Sequence, residues 1–166
     1  MRYSVKAQYS LDINTETKSK PAIVDVLTVR VVREGRQSVE SRTIHSPGTA
    51  AAILSDYLEG ADREHFVALL LDTKHRVIGI HTVSIGSVNE TVVHPRETFK
   101  AAIILSAAAV LLAHCHPSGD TTPSPEDIAC TCRLVEAGRI LGIEVIDHII
   151  IGNGWEYTSL KQTGRM

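Results

Sequence analysis

His114 and His116 stand two apart at the end of the apolar run Ala109 to Ala113, and Asp127 follows eleven residues beyond the second of them. Side chains alternate across a strand, so both imidazoles leave on one face and can share one ion. Asp127 falls in the first turn of a helix that opens at Ser124-Pro-Glu-Asp127, and the intervening Pro, Ser, Gly and Thr residues let the chain fold back toward the histidine pair. Two imidazole nitrogens and one carboxylate oxygen are the ligand set of a catalytic rather than a structural zinc, because the fourth tetrahedral position is left for water. One zinc per chain is therefore expected, lowering the pKa of that water toward neutrality and polarising a substrate carbonyl.

Such chemistry needs a general base. Glu64, at the entry to a predicted strand, is the first candidate, and Glu97, at the start of the helix before the histidine strand, is the second. Ser124 can donate its hydroxyl to the oxyanion of a tetrahedral intermediate, a contact whose loss typically costs about 3 to 4 kcal/mol. Each residue also has a plainer use. Ser124 and Asp127 fit a capping box, Glu64 fits a solvated strand edge, and Glu97 suits the positive end of a helix dipole. Asp147 and His148 fit either a pair that holds a ligand imidazole by hydrogen bond or a simple strand-end pair. Cys130 and Cys132, two apart on a helix, point about 200° apart and cannot converge on one metal. His45, His65, His75 and His81 share no spacing pattern and read as structural.

Placing these groups requires a strand that ends at the histidines and a helix that starts at the aspartate. Residues 1–22 read as an arm or loose strand, and residues 23–45 as a hairpin turning at Arg33-Glu-Gly-Arg36. Ser46-Pro47 caps a helix running to about Leu58, before Gly60. His65 to Leu71 and Arg76 to Ile85 form a second hairpin, expected at the centre of a sheet, and 86–95 a loop. A helix over Arg96 to Ser106, the strand from Ala109, a helix from Ser124 to about Leu141, a strand from Ile143 to Ile151 and a short element over Trp155 to Leu160 complete the chain. Hairpins mixed with helices favour one domain, residues 23–166 with a core over 46–160, built as a central mixed β-sheet flanked by helices.

The chain has 166 residues, 17 basic and 19 acidic, for a net charge of −2, with no run of like charge. Nucleic acid is possible but not supported by this balance. No apolar stretch reaches the roughly 18 residues of a membrane span. The polar start MRYSVKAQYS lacks a signal-peptide core, so a cytoplasmic location without membrane association is expected, with three reduced cysteines.

The segment His114-Cys-His116-Pro-Ser-Gly119, with seven residues intervening before Ser124 and two more before Asp127, resembles the JAMM (MPN-domain) metalloprotease signature. His94-Pro-Arg-Glu97, Pro123-Ser-Pro-Glu-Asp127 and Asp147-His-Ile-Ile-Ile-Gly152 add similarity to the bacterial RadC-like branch over about Ser46 to Leu160. The resemblance implies a JAB/MPN fold, which is cytidine-deaminase-like. It also implies zinc on two His and one Asp, Glu64 as general base, Ser124 at the oxyanion, and hydrolysis of peptide or isopeptide bonds in a protein or peptide substrate. Cys115 departs from the usual asparagine and, as the odd member of the alternation, should point away from the metal. The family's long form carries a helix-hairpin-helix region that nothing here resembles. Alternatives to hydrolysis are a zinc-binding interaction module and an accessory DNA-repair protein of the RadC type. The oligomeric state is not legible.

Overall fold

The computed structural model describes residues 24–86, 93–154 and 156–166. Eight elements follow in order: α1 (Pro47–Leu58), β1 (His65–Leu71), β2 (Val77–Ile85), α2 (Pro95–Ile104), β3 (Ala109–Cys115), α3 (Pro125–Leu141), β4 (Glu144–Ile151) and β5 (Tyr157–Ser159). The five strands make one mixed sheet in the order β2-β1-β3-β4-β5. All neighbours are antiparallel except β3 and β4. A parallel pair needs a long crossover, and α3 supplies it. The mixed α/β sheet with three helices is the architecture the element order predicted.

Each sheet face carries its own core. Val67, Leu69 and Leu71 of β1, Leu111 and Ala113 of β3, and Ile149 and Ile151 of β4 pack with Ala50, Ile53 and Leu54 of α1. The alternate residues Phe66, Ala68, Leu70, Val110 and Leu112 pack with Phe99 and Ala102 of α2 and Leu134 of α3. Because both faces are covered, β3 is buried at every position, which explains why its sequence reads as a continuous apolar run rather than an alternation. Its last residues can therefore hold imidazoles in a dry setting.

Local signals account for the boundaries. Ser46 Oγ accepts the Thr49 N–H at 3.2 Å to start α1. His94 caps α2, its Nδ1 accepting from the Arg96 N–H at 3.2 Å, one residue earlier than the predicted start. Gly142, in the left-handed region at φ 69°, ends α3 while the Ile143 N–H reaches back to the Gly138 carbonyl at 3.0 Å.

Two expectations need correction. The second hairpin is not central as a unit, because β2 is an edge strand and only β1 lies inside. Polar His81, Thr82 and Ser84 leave β2 half-buried along most of its length, as an edge tolerates. The hairpin over 23–45 is not formed by its described residues. Only Thr43 makes a bridge, to Arg76, flanked by Val77 N–H to Arg42 O at 2.7 Å and Ile44 N–H to His75 O at 2.9 Å. A lone two-stranded ribbon is marginal in water, and Val24, Val26 and Leu27 stay exposed instead of closing one. The arm over 1–22, most of the 86–95 loop and Trp155 lie outside the described residues.

Leu111 is 1% exposed in the central strand, whereas Ile140 on α3 is 75% exposed. Leu111→Ala is expected to cost about 2 to 5 kcal/mol in urea unfolding, and Ile140→Ala about 0.5 kcal/mol or less.

Candidate metal centre

The site is built where β3 ends and α3 begins. His114 and His116 leave the carboxyl end of β3 on its α2/α3 face, with Phe66 of β1 stacked near His114 at 6.2 Å between ring centroids. Asp127 occupies the first turn of α3 and is 3% exposed. His114 Nε2 lies 3.0 Å from His116 Nε2 and 3.3 Å from Asp127 Oδ1, and His116 Nε2 lies 3.7 Å from Asp127 Oδ2. Ligand atoms from all three residues fall within 4.8 Å of one another.

Outer contacts aim these atoms. His116 Nδ1 sits 2.6 Å from the Asp120 carbonyl, which can only accept, so Nδ1 donates there and Nε2 is the nitrogen turned to the cluster. Asp127 Oδ2 accepts both the N–H and the hydroxyl of Ser124, at 2.8 and 2.7 Å, and the Asp127 N–H returns a bond to Ser124 Oγ at 3.1 Å. This is the predicted capping box, and it leaves Oδ1 turned toward His114. Gly119 closes the intervening loop at φ 77°, donating its N–H to the His116 carbonyl at 2.9 Å. An added Cβ there would meet Asn153 at 2.1 Å.

Burial raises the Asp127 carboxyl, but hydrogen bonding and charge from His114, together with the two Ser124 donors, outweigh it. The net result lies far below the ordinary carboxylate range. His148 moves down from the usual imidazole value because it is buried, with His114 adding to the effect.

A four-coordinate ion with bonds of about 2.0 to 2.1 Å sets its neighbouring ligand atoms about 3.3 Å apart. The separations of 3.0 and 3.3 Å from His114 Nε2 fit that spacing, and the mixed imidazole and carboxylate donors suit a divalent metal. His114, His116 and Asp127 could thus hold one ion. Residues 44–165 match the family described as the RadC-like JAB domain. The chain belongs to that family.

Among relatives of this RadC-like JAB domain, the UPF0758 protein of Moorella thermoacetica is 58% identical over 123 residues, which is 74% of this chain and 53% of that protein. The UPF0758 protein of Desulforamulus reducens is 55% identical over 121 residues, 73% of this chain and 53% of its own length. For that of Chloroflexus aggregans the identity is 52% over 133 residues, 80% of this chain and 58% of the relative. The chain spans about half the length of the curated relatives it matches. Among the described residues no helix is long and apolar enough to cross a membrane.

The other candidates separate clearly. Antiparallel pairing of β1 with β3 ends at Phe66 opposite His114, and Glu64 stands two residues before Phe66, just ahead of β1. The Glu64 carbonyl accepts the Gly86 N–H at 2.9 Å. Burial first, and the Glu64 charge as well, raise the Cys115 thiol, which is consistent with a carboxylate near the end of β3. Glu97 is not in the cluster. Its carboxylate pairs with Lys100 and, at 3.4 Å, with Arg96 on the exposed first turn of α2. Cys115 belongs to the α1-side core, facing away from the histidines as its place in the alternation predicts.

Asp147 and His148 part company. Asp147 accepts from Ser159 Oγ at 2.7 Å and the Lys161 N–H at 3.2 Å, tying β4 to β5 and the chain just after it. His148 instead places Nε2 2.9 Å from His114 Nδ1. Thr131, 2.5 Å from His148 Nδ1, escaped the sequence reading. Its one signal was a polar residue one helical turn after Asp127, on the buried face of α3.

In the metal-free protein Asp127 takes its proton in the unfolded chain first, near pH 3.9, and in the folded chain only at lower pH. Its contribution is complete above that unfolded value and declines as pH falls. The stability gap between wild type and Asp127→Asn should therefore be constant from pH 7 to about 5 and narrow steadily toward pH 2, read from urea midpoints.

Proposed function

We propose that this domain is a zinc-dependent hydrolase that cleaves amide bonds, peptide or isopeptide, in protein or peptide substrates. The observation that carries the reading is the convergence of ligand atoms of His114, His116 and Asp127 within 4.8 Å of one another, the first and last buried and His116 partly so. Three protein donors of this kind leave one position for water or substrate, as catalytic sites do. A bound zinc supplies Lewis acidity to the scissile carbonyl and makes water acidic enough to attack near neutral pH.

The chain's own residues do the rest. Glu64 takes the proton from the attacking water and passes it to the leaving amine, so that one carboxylate serves both halves of the reaction. Ser124 has a single hydroxyl proton, which it gives to Asp127 Oδ2 at rest and can turn toward a developing oxyanion. The Ser124 N–H, at 2.8 Å, keeps the same carboxylate oxygen in place when the hydroxyl turns. Phe66 and the surrounding core keep bulk water from the far side of His114.

Removing zinc with a chelator is expected to abolish cleavage of an amide library, and readdition to restore it. His114→Ala, His116→Ala and Asp127→Ala should each lose the metal, counted by atomic emission on purified protein. Glu64→Gln should keep one zinc per chain while turnover falls by roughly 10²- to 10⁴-fold. Ser124→Ala, with zinc retained, should lose roughly 10²- to 10³-fold. Full zinc occupancy with no turnover by the wild type would instead assign a binding module, and cleavage by the chelated protein would overturn the metal reading.

A further inference from the structure

We infer that Thr131 and His148 are positioning residues that fix a proton on His114 Nδ1 and so leave Nε2, facing His116 and Asp127, as the nitrogen that can take an ion. The inference deepens the metal reading and rests on it for its purpose, though the proton arrangement is a property of the chain alone.

The direction of each bond follows from what each atom can do. Thr131 Oγ1 lies 2.6 Å from the Asp127 backbone carbonyl and 2.5 Å from His148 Nδ1. A carbonyl only accepts, so the single hydroxyl proton goes to Asp127 O. Toward His148 the Thr131 oxygen must then accept, which places a proton on His148 Nδ1. Thr131 and His148 are both 0% exposed, and complete burial favours the neutral ring, whose other nitrogen is bare. His148 Nε2 is thus an acceptor at 2.9 Å from His114 Nδ1, and His114 must donate. His114 Nδ1 is then committed to His148, and Nε2, 3.3 Å from Asp127 Oδ1, is the nitrogen left for an ion or for a proton shared with that carboxylate.

The geometry closes on one turn of α3. Asp127 reaches His114 Nε2 through its side chain, and four residues later Thr131 reaches His114 Nδ1 through His148. His148 is in register for this because the parallel pairing of β3 with β4 sets it beside Leu112, one alternation before His114. The imidazole is gripped at both nitrogens from the same helix, so ring rotation and proton exchange are both opposed. His116, by contrast, is oriented by a loop carbonyl at 17% side-chain exposure.

The test compares Thr131→Ser, which keeps the hydroxyl, with Thr131→Val, which keeps the shape and removes it. Zinc affinity is read by competition with a chromophoric chelator. Thr131→Val should weaken binding by about 10- to 100-fold, and Thr131→Ser should stay within about 3-fold of wild type. Independently, long-range proton–nitrogen NMR of the zinc-free wild type, at a pH where imidazoles are neutral, should show His114 protonated at Nδ1 and His148 also at Nδ1. Equal affinities of the two variants, or a His114 Nδ1 without a proton, would overturn the proposal. A wild type that takes up no zinc but shows both Nδ1 protons would sink the metal reading and leave the relay standing. If Thr131→Val fails to fold, the NMR result on the wild type alone decides.

Discussion

Two imidazole nitrogens and a carboxylate facing one another at 3.0 to 3.7 Å form an arrangement that burial makes costly unless a positive charge lies among them. A proton shared with Asp127 or a divalent ion meets that need. The surrounding structure serves to keep the three groups together despite the cost. Its rigid parts are the end of a fully buried strand and the first turn of a helix, both pinned by apolar packing on two sides of the sheet.

The same constraint explains the unusual density of polar contacts in an otherwise apolar interior. Thr131, His148, His114 and Asp127 are all nearly inaccessible, and each bonds to another of the group. A buried polar network is tolerable only when its members are satisfied. Here the outward ring nitrogens of both histidines end on fixed acceptors, His148 for one and the Asp120 carbonyl for the other. The inward nitrogens are left for the ion or proton. Ser124 plays two parts at no extra cost in atoms, capping α3 and holding one carboxylate oxygen.

Membership of the RadC-like JAB domain family joins this geometry to relatives of whose length the match covers 53%. The match to the family runs over residues 44–165, which contain all eight elements and the cluster at the start of α3. The exposed valines at 24, 26 and 29 fall outside those matched residues, in a stretch whose apolar residues occupy both faces of any strand it could form. Such a stretch carries no preferred inward side, and the sequence signal for a hairpin there was a signal for β-rich composition only.

Local patterns along the chain account for where its elements begin and end. Ser-Pro caps at 46 and 124, the left-handed turn at Gly142, the apolar run into His114 and the His114–His116–Asp127 spacing are short-range patterns, and short-range sterics and hydrogen bonding suffice to enforce them. Tertiary structure decided which strand became the edge and which of two adjacent residues, Asp147 or His148, turned toward the cluster. It also decided that Thr131 would complete the cluster's support. Those outcomes depend on the register between β3 and β4 and on the seat of α3 across them. Register arises from pairing between residues more than thirty positions apart, and no local pattern encodes which partner will be there.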